Sequence, residues 1–466
     1  MSIESKELEP TRENLLKTLE QDMLDRNKSV WQFARVCDCQ TGKCSIAIDA
    51  KWGYGKTFFV RHVQLLLEAC NDFTNAVTDE ERTVIKQVFQ RQIGRGEKAV
   101  LLEPQVCVYY DAWKNDNDGD PILSLVYEII RSTAQSYSFK KRADCIDVAS
   151  YIADFFTGKN SSDFVRLLKE KDPLSELKTQ REIHSLVSDF LDSLLFEQGN
   201  RLLIIIDELD RCKPEYAVRL LERIKHYFSN DRITFVFSLN IEELQHTVKC
   251  FYGEGFDACR YLDRFFDYRI SLPPANMTNY YRMIGLEDGS WVYESVCKAV
   301  INYCGFGLRE IEKYYRMAKI AAFTPTHNRS YYGFSDGNGL QFSLSIIVPI
   351  VIGLRMKDHS LYNQFVTGEN VAPLIEVMGH GDIAQGFCNG LLERGTETYD
   401  NKCRGEEGKK LVRLEDKLTE VYNALFGDNN RRPWDEVNVG EYSFSTETKE
   451  KIMRAASMLS DYSSYE

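Results

Sequence analysis

The chain has 466 residues, 43% of them hydrophobic, with 58 Lys and Arg against 70 Asp and Glu for a formal charge of −12. That length allows two or three domains and a sizeable core, and the acidic balance argues against a surface given over wholly to nucleic acid, although a local basic groove stays open. Thirteen Cys, an odd number without framework spacing, fit a reducing cytosol better than a secreted disulfide scaffold; the polar start MSIESKELEPTRENLL shows no secretory signal, so a cytoplasmic location is expected.

Residues 1–36 read as an N-terminal helical segment, with Leu15, Leu16, Leu19, Met23, Leu24, Trp31 and Ala34 at helical spacing. Cys37, Cys39 and Cys44 follow without a Cys or His pair at metal-partner spacing, which favours free thiols. The run Cys44–Thr57, CSIAIDAKWGYGKT, then reads as strand, phosphate loop and helix start. Gly53 and Gly55 let successive N–H groups curl round a polyphosphate, Lys56 reaches its β- and γ-phosphates, and the Thr57 hydroxyl holds Mg²⁺. The expected nucleotide contacts are Trp52, Gly53, Tyr54, Gly55, Lys56, Thr57 and Phe58, at the N-terminus of a helix that runs to Ala69. The strict motif has Gly at position 50, where this chain has Ala50.

A polar helix over 78–92 precedes a second buried strand, VCVYYDAW, and a helix opened by Pro121. Residues 137–197 read as a helical insertion. In RLLIIIDELDR, five apolar residues before two acids make a strand buried on both faces whose C-terminal tip meets ligand. Asp207 is placed there as the Mg²⁺ carboxylate and Glu208 as the base that polarises an attacking water. Asp210 and Arg211 are expected to cap and orient the next helix or pair with each other, with a place supporting the site from behind left open to Asp210, and Trp52 and Trp113 to be packing anchors rather than base-stacking platforms. A helix over 214–227 leads to strand Ile233–Leu239 and Asn240, whose tip position suits orienting the same water or sensing the γ-phosphate. The last strand spans Tyr268–Leu272, closing a domain over 37–275; residues 276–466 read as a helical lid and C-terminal domain. Within it, Leu340–Leu354 is apolar but short and carries Pro349, so a buried element is expected rather than a membrane span.

A phosphate loop, an intervening strand and then an acidic strand imply an α/β fold: a phosphate-loop NTPase sheet of the additional-strand class, helices on both faces, in which a Glu beside the Mg²⁺ acid favours hydrolysis over kinase transfer. AKWGYGKT, VYYDAWK, IIIDELDRCKPEYAVRLLERIKHYF, FVFSLN and YLDRFF together resemble the KAP family of phosphate-loop NTPases, relatives of AAA+ and STAND ATPases, over roughly residues 20–320. The resemblance implies ATP and Mg²⁺ as ligands and, for bacterial members without membrane spans, defence against phages and plasmids. The chain departs from the family pattern at Ala50, Glu208 and Asn240 and lacks the family's frequent inserted membrane helices. YLDRFFDYRISLP resembles the AAA+ segment before the last strand, which makes Arg264 either an arginine finger or a surface arginine. GFGLREIEKYYRMA resembles the lid helix of the second sensor, which implies that Arg309 contacts the γ-phosphate. The favoured function is an ATPase coupling nucleotide state to conformational change on a macromolecular partner, as a homo-oligomer, with a separate effector, or both. A slow nucleotide switch that recruits an effector and a nucleic-acid-stimulated motor are the rivals.

Overall fold

The computed structural model describes residues 9–92, 102–136, 195, 199–228, 230–286, 292–322, 338–379, 383, 385–400, 409–427 and 435–457. The chain divides into two compact units, Leu8–Tyr280 and, apart from the first residues, Tyr281–Glu466. The helical insertion expected over 137–197 lies outside the described residues, Leu195 aside.

The first unit opens with helices α1 (Arg12–Glu20), capped by the Thr11 hydroxyl, and α2 (Asn27–Asp38). Strand β1 (Cys44–Asp49) enters the phosphate loop, and α3 (Lys56–Cys70) leaves it. Helix α4 (Asp79–Gln90) starts at a reciprocal Thr78–Glu81 capping box. Strand β2 (Gln105–Asp111), helix α5 (Pro121–Ser136), strand β3 (Arg201–Asp207), helix α6 (Pro214–Tyr227), strand β4 (Ile233–Leu239), helix α7 (Ile241–Tyr252), helix α8 (Ala258–Leu262) and strand β5 (Tyr268–Ser271) complete it.

The five strands form one parallel sheet in the order β2-β3-β4-β1-β5. The acidic strand β3 is thus separated from the loop strand β1 by β4, as the additional-strand class requires. Because successive strand side chains point to opposite faces, Leu202, Ile204 and Ile206 join the core formed with α5, α6 and α7, while Leu203 and Ile205 join the core formed with α2, α3 and α4. Every residue of β3 is buried, and each such Leu or Ile contributes about 1.5–3 kcal/mol by leaving water. Burial on both faces holds the strand's C-terminal tip, with Asp207, in one position.

The second unit is mainly helical. Its central helix runs from Asn338 through a π turn at Ser343–Ile347 into Val348–Lys357, with Ile346, Ile347, Val348, Ile350, Val351 and Ile352 buried. Pro349, which has no N–H to give the ladder, follows directly on the π segment, where the α-helical hydrogen-bond register is already shifted. A Cβ at Gly353 would lie 2.3 Å from Val300 Cγ1, so glycine permits the close approach to helix Val292–Cys304. Helix Gly339–Lys357 is long and apolar enough to cross a membrane, yet 72% of its most apolar window is buried within the protein, as the buried-element reading expects. Two small sheets were not expected: Glu397–Tyr399 beside Lys410–Val412, and Val437–Val439 against Tyr442–Phe444. Strands of three residues are too short to show a period of two in the sequence.

Candidate nucleotide-binding site

The phosphate loop is built as its residue types demand. Gly53 and Gly55 have φ of 78° and 86°, a left-handed region that glycine enters without steric cost. Ala50 is not among the described positive-φ residues, and its N–H donates to the Leu239 carbonyl at 3.3 Å. Its backbone is ordinary, so the replacement of the motif's first glycine strains nothing. Lys56, first residue of α3, is buried, and its Nζ donates to the carbonyls of Ala50 (2.6 Å) and Lys51 (3.1 Å). Burial pushes its pKa down, while Asp210, Asp207 and Glu208 pull it up. A charge held against two of the loop's own carbonyls is available to a better partner.

Asp207 stands opposite. It is fully buried, and its Oδ2 accepts from the Thr57 hydroxyl (2.7 Å) and the Tyr109 hydroxyl (2.9 Å), its Oδ1 from the Glu208 N–H (3.0 Å). Burial raises its pKa, and the hydrogen bonds it accepts oppose the rise. No side-chain cation is bonded to it among the described residues. A buried carboxylate against a threonine hydroxyl, with no cation of its own, is the hard-oxygen donor set that Mg²⁺ takes; the residues fit the metal. Tyr109 escaped the sequence reading. The signal was strand alternation: it lies two residues before Asp111 on β2, on the face opposite Tyr110, whose ring joins the other core.

Glu208 has φ of 61°, an unusual left-handed backbone for this residue. The turn carries its carboxylate back to Arg211, whose Nε lies 2.5 Å from Oε2. Burial and then Asp207 push the Glu208 carboxyl up to about 7, against the pull of Arg211. The expected Asp210–Arg211 pair is therefore not formed. Asp210 Oδ2 instead accepts from Trp52 Nε1 (2.6 Å) and from the Asn240 N–H (3.0 Å), linking loop, acidic strand and β4 tip. Nor are Trp52 and Trp113 packing anchors: they are 44% and 53% exposed, and their rings flank the Arg211 guanidinium at 5.5 and 5.4 Å. The left-handed turn explains the first correction, because it aims Glu208 at Arg211 and leaves Asp210 to the loop, and the second follows from Arg211, whose guanidinium sits between the two rings.

Asn240 is at the tip of β4, and its side chain caps α7 by accepting from Glu242 N–H at 3.1 Å. The cap is tied to the loop strand, since Asp49 Oδ1 accepts from the Ile241 N–H at 2.9 Å. Phe58 is half-buried and packs edge-on against His62. Arg264 follows α8 on an exposed turn before β5; its carbonyl accepts from Lys225 Nζ, and its guanidinium is bonded to no described residue. Arg309 is the second residue of helix Leu308–Ala322 in the other unit. The structure thus brings together Trp52, the loop, Lys56, Thr57, Asp207, Glu208 and Asn240, and leaves Arg264 outside that cluster.

Sheet order, loop and acidic strand tip define a phosphate-loop nucleotide-binding domain. The model of the KAP family P-loop domain matches residues 31–294, more than half of the chain, and the chain belongs to that family. An uncharacterized protein of Methanocaldococcus jannaschii is 28% identical over 168 residues, 35% of this chain and 75% of that protein. The ORC2 protein of Aeropyrum pernix, solved in ADPNP and ADP complexes, is similar at 11% identity and a TM-score of 0.29 over 99% of this chain and 98% of that one. At that score the assignment rests on the family match and the geometry.

Proposed function

We propose that this site binds ATP with Mg²⁺ and hydrolyses it. The observation that carries the reading is the 2.7 Å contact between Thr57 Oγ1 and the buried Asp207 carboxylate, which joins the phosphate loop to the acidic strand across β4. Lys56 exchanges its loop carbonyls for the β- and γ-phosphates, and the N–H groups of residues 52–58 cradle the chain of phosphates. Thr57 and Asp207 hold Mg²⁺, which when bound neutralises phosphate charge. Glu208 accepts the proton of the attacking water, and Asn240 orients that water. Arg264, exposed and with its guanidinium bonded to no described residue, suits delivery to a neighbouring copy in a homo-oligomer.

Nucleotide turnover then times a conformational change on a macromolecular partner; anti-phage or anti-plasmid defence in the cytoplasm is the role that the family resemblance suggests. A second reading, a slow nucleotide switch recruiting an effector, is favoured by the Glu208–Arg211 ion pair, which engages the base. Phosphate release by the purified protein, with mass measurement, with and without nucleotide and nucleic acid, separates them. Multiple turnovers per minute support the ATPase; tight ATP binding with less than one turnover per hour supports the switch; absence of ATP binding overturns both.

A further inference from the structure

Arg26 lies before α2, outside the family-matched residues 31–294, in a segment to which the function above gives no part. It is only 6% exposed. Its Nη1 donates to the Tyr54 carbonyl at 2.9 Å, its Nε is buried without a hydrogen bond, and among the described residues no carboxylate pairs with its guanidinium. Asp25, the adjacent acid in the sequence, forms no ion pair with it among the described residues, and Asp22 spends its Oδ1 on the backbone N–H groups of Arg26 and Asn27. Burial alone, with no charge to oppose it, pushes the Arg26 pKa down to about 10. A buried guanidinium without an anion is costly in a folded protein. Its position suggests what repays the cost.

Tyr54 stands between the two left-handed glycines of the loop. In a trans peptide the carbonyl and the next N–H point in opposite directions, so a cation on the Tyr54 oxygen polarises the Gly55 N–H on the opposite side. Among the described residues nothing accepts from that N–H. We propose that Arg26 is a positioning residue for the nucleotide: from the N-terminal helical segment it fixes and polarises the Tyr54–Gly55 peptide so that the Gly55 N–H meets a polyphosphate, whose negative charge balances the guanidinium. The inference rests on the nucleotide reading of the loop and makes the N-terminal segment part of the site.

The test compares wild type with Arg26→Met, Arg26→Gln and Arg26→Lys in the full chain, by calorimetric titration with ADP and by Tm with and without ADP. Arg26→Met removes an unbalanced buried charge, so its ligand-free Tm equals or exceeds that of the wild type, while ADP binds about ten- to a hundredfold more weakly, the worth of one charge-assisted hydrogen bond. Arg26→Gln, which keeps a donor for Tyr54 without charge and serves if the Met variant does not fold, loses affinity likewise; Arg26→Lys recovers part of it. A merely structural arginine gives the opposite pattern, a lowered ligand-free Tm with ADP affinity unchanged, and that result overturns the proposal. Wild type that fails to bind ADP removes the nucleotide reading itself, and the proposal with it.

Discussion

Glu208→Gln separates chemistry from binding at this site, because the amide keeps the shape of the side chain and loses the carboxylate. A positioned general base contributes about 10²–10⁴ in rate, so the turnover number should fall by that factor, about 3–5 kcal/mol of barrier. The structural cost is much smaller. The ion pair to Arg211 spans 2.5 Å, but both side chains are 21% exposed, and a pair in that setting contributes about 1 kcal/mol or less. Gln retains an acceptor for Arg211 and removes a carboxylate that burial disfavours. Stability should therefore change by no more than about 1 kcal/mol, and ATP·Mg²⁺ affinity should be kept, since Lys56, Thr57 and Asp207 are untouched. Phosphate release, titration of a fluorescent ATP analogue and urea unfolding measure the three quantities. Parental turnover in the variant would show that Glu208 is not the base, and joint loss of binding and stability would mark it as structural.

Three further outcomes follow from the same geometry. Lys56→Ala should abolish detectable ATP binding, since the two carbonyls that Nζ now satisfies cannot replace a cation on the phosphates; unchanged affinity for a fluorescent analogue would remove the phosphate-loop reading. His62, buried with Nε2 3.0 Å from both Thr18 Oγ1 and the Leu15 carbonyl, is pushed by burial from its ordinary 6.5 to about 4. Between those values the unfolded chain binds a proton that the folded chain refuses, so stability falls as pH drops from 6.5 to 4, by about 3 kcal/mol in all; His62→Gln should flatten that limb of the urea midpoint against pH, and an identical limb would refute the assignment. Arg264→Ala should bind ATP normally yet lose about a thousandfold in rate if the residue serves a neighbouring copy, and mixing it with Lys56→Ala should restore activity; a monomeric wild type with turnover independent of concentration would return Arg264 to the surface.

Which parts of the site were legible depends on where the determining chemistry lies in the chain. The phosphate loop is local: strand, glycines, Lys56 and Thr57 fall within fourteen residues, and the left-handed angles of Gly53 and Gly55 are the reason those residues are glycine. The tip of β3 is nearly as local, since an apolar run buried on both faces must end where its first acid appears. Contacts made by folding are not written this way. Tyr109 reaches Asp207 across 98 residues, Trp52 reaches Asp210 across 158, and Arg26 reaches Tyr54 across 28; in isolation each reads as an ordinary core or surface residue. The Asp210–Arg211 expectation failed for a related reason. Sequence proximity favoured the neighbours, but one left-handed residue at 208 reversed which acid faces the arginine.

The distribution of charge around the loop bears on how nucleotide binding could be transmitted. Among the described residues, Asp207 is fully buried without a bonded cation, Arg26 is buried without an anion, and Lys56 is buried against carbonyls. Each group disfavours the ligand-free fold, and on the proposed reading each would gain its counter-charge from one component of ATP·Mg²⁺. The ligand-free first unit is then less stable than its apolar cores would allow, and ligand raises that stability by an amount set by mass action, about 2.7 kcal/mol at a hundredfold excess over Kd. These groups lie on α2's start, α3 and β3, elements that also share the core on one face of the sheet. On that reading binding would tighten three elements together, and Trp52, hydrogen-bonded to Asp210 and stacked on the arginine that holds Glu208, would tie that tightening to the Glu208 carboxylate. A change of Trp fluorescence on ATP binding that is lost in Trp52→Phe, while ATP affinity persists, is the expected signature. If ATP binds with full affinity and the emission of the Trp52→Phe protein still responds as in wild type, the connection through Trp52 is absent.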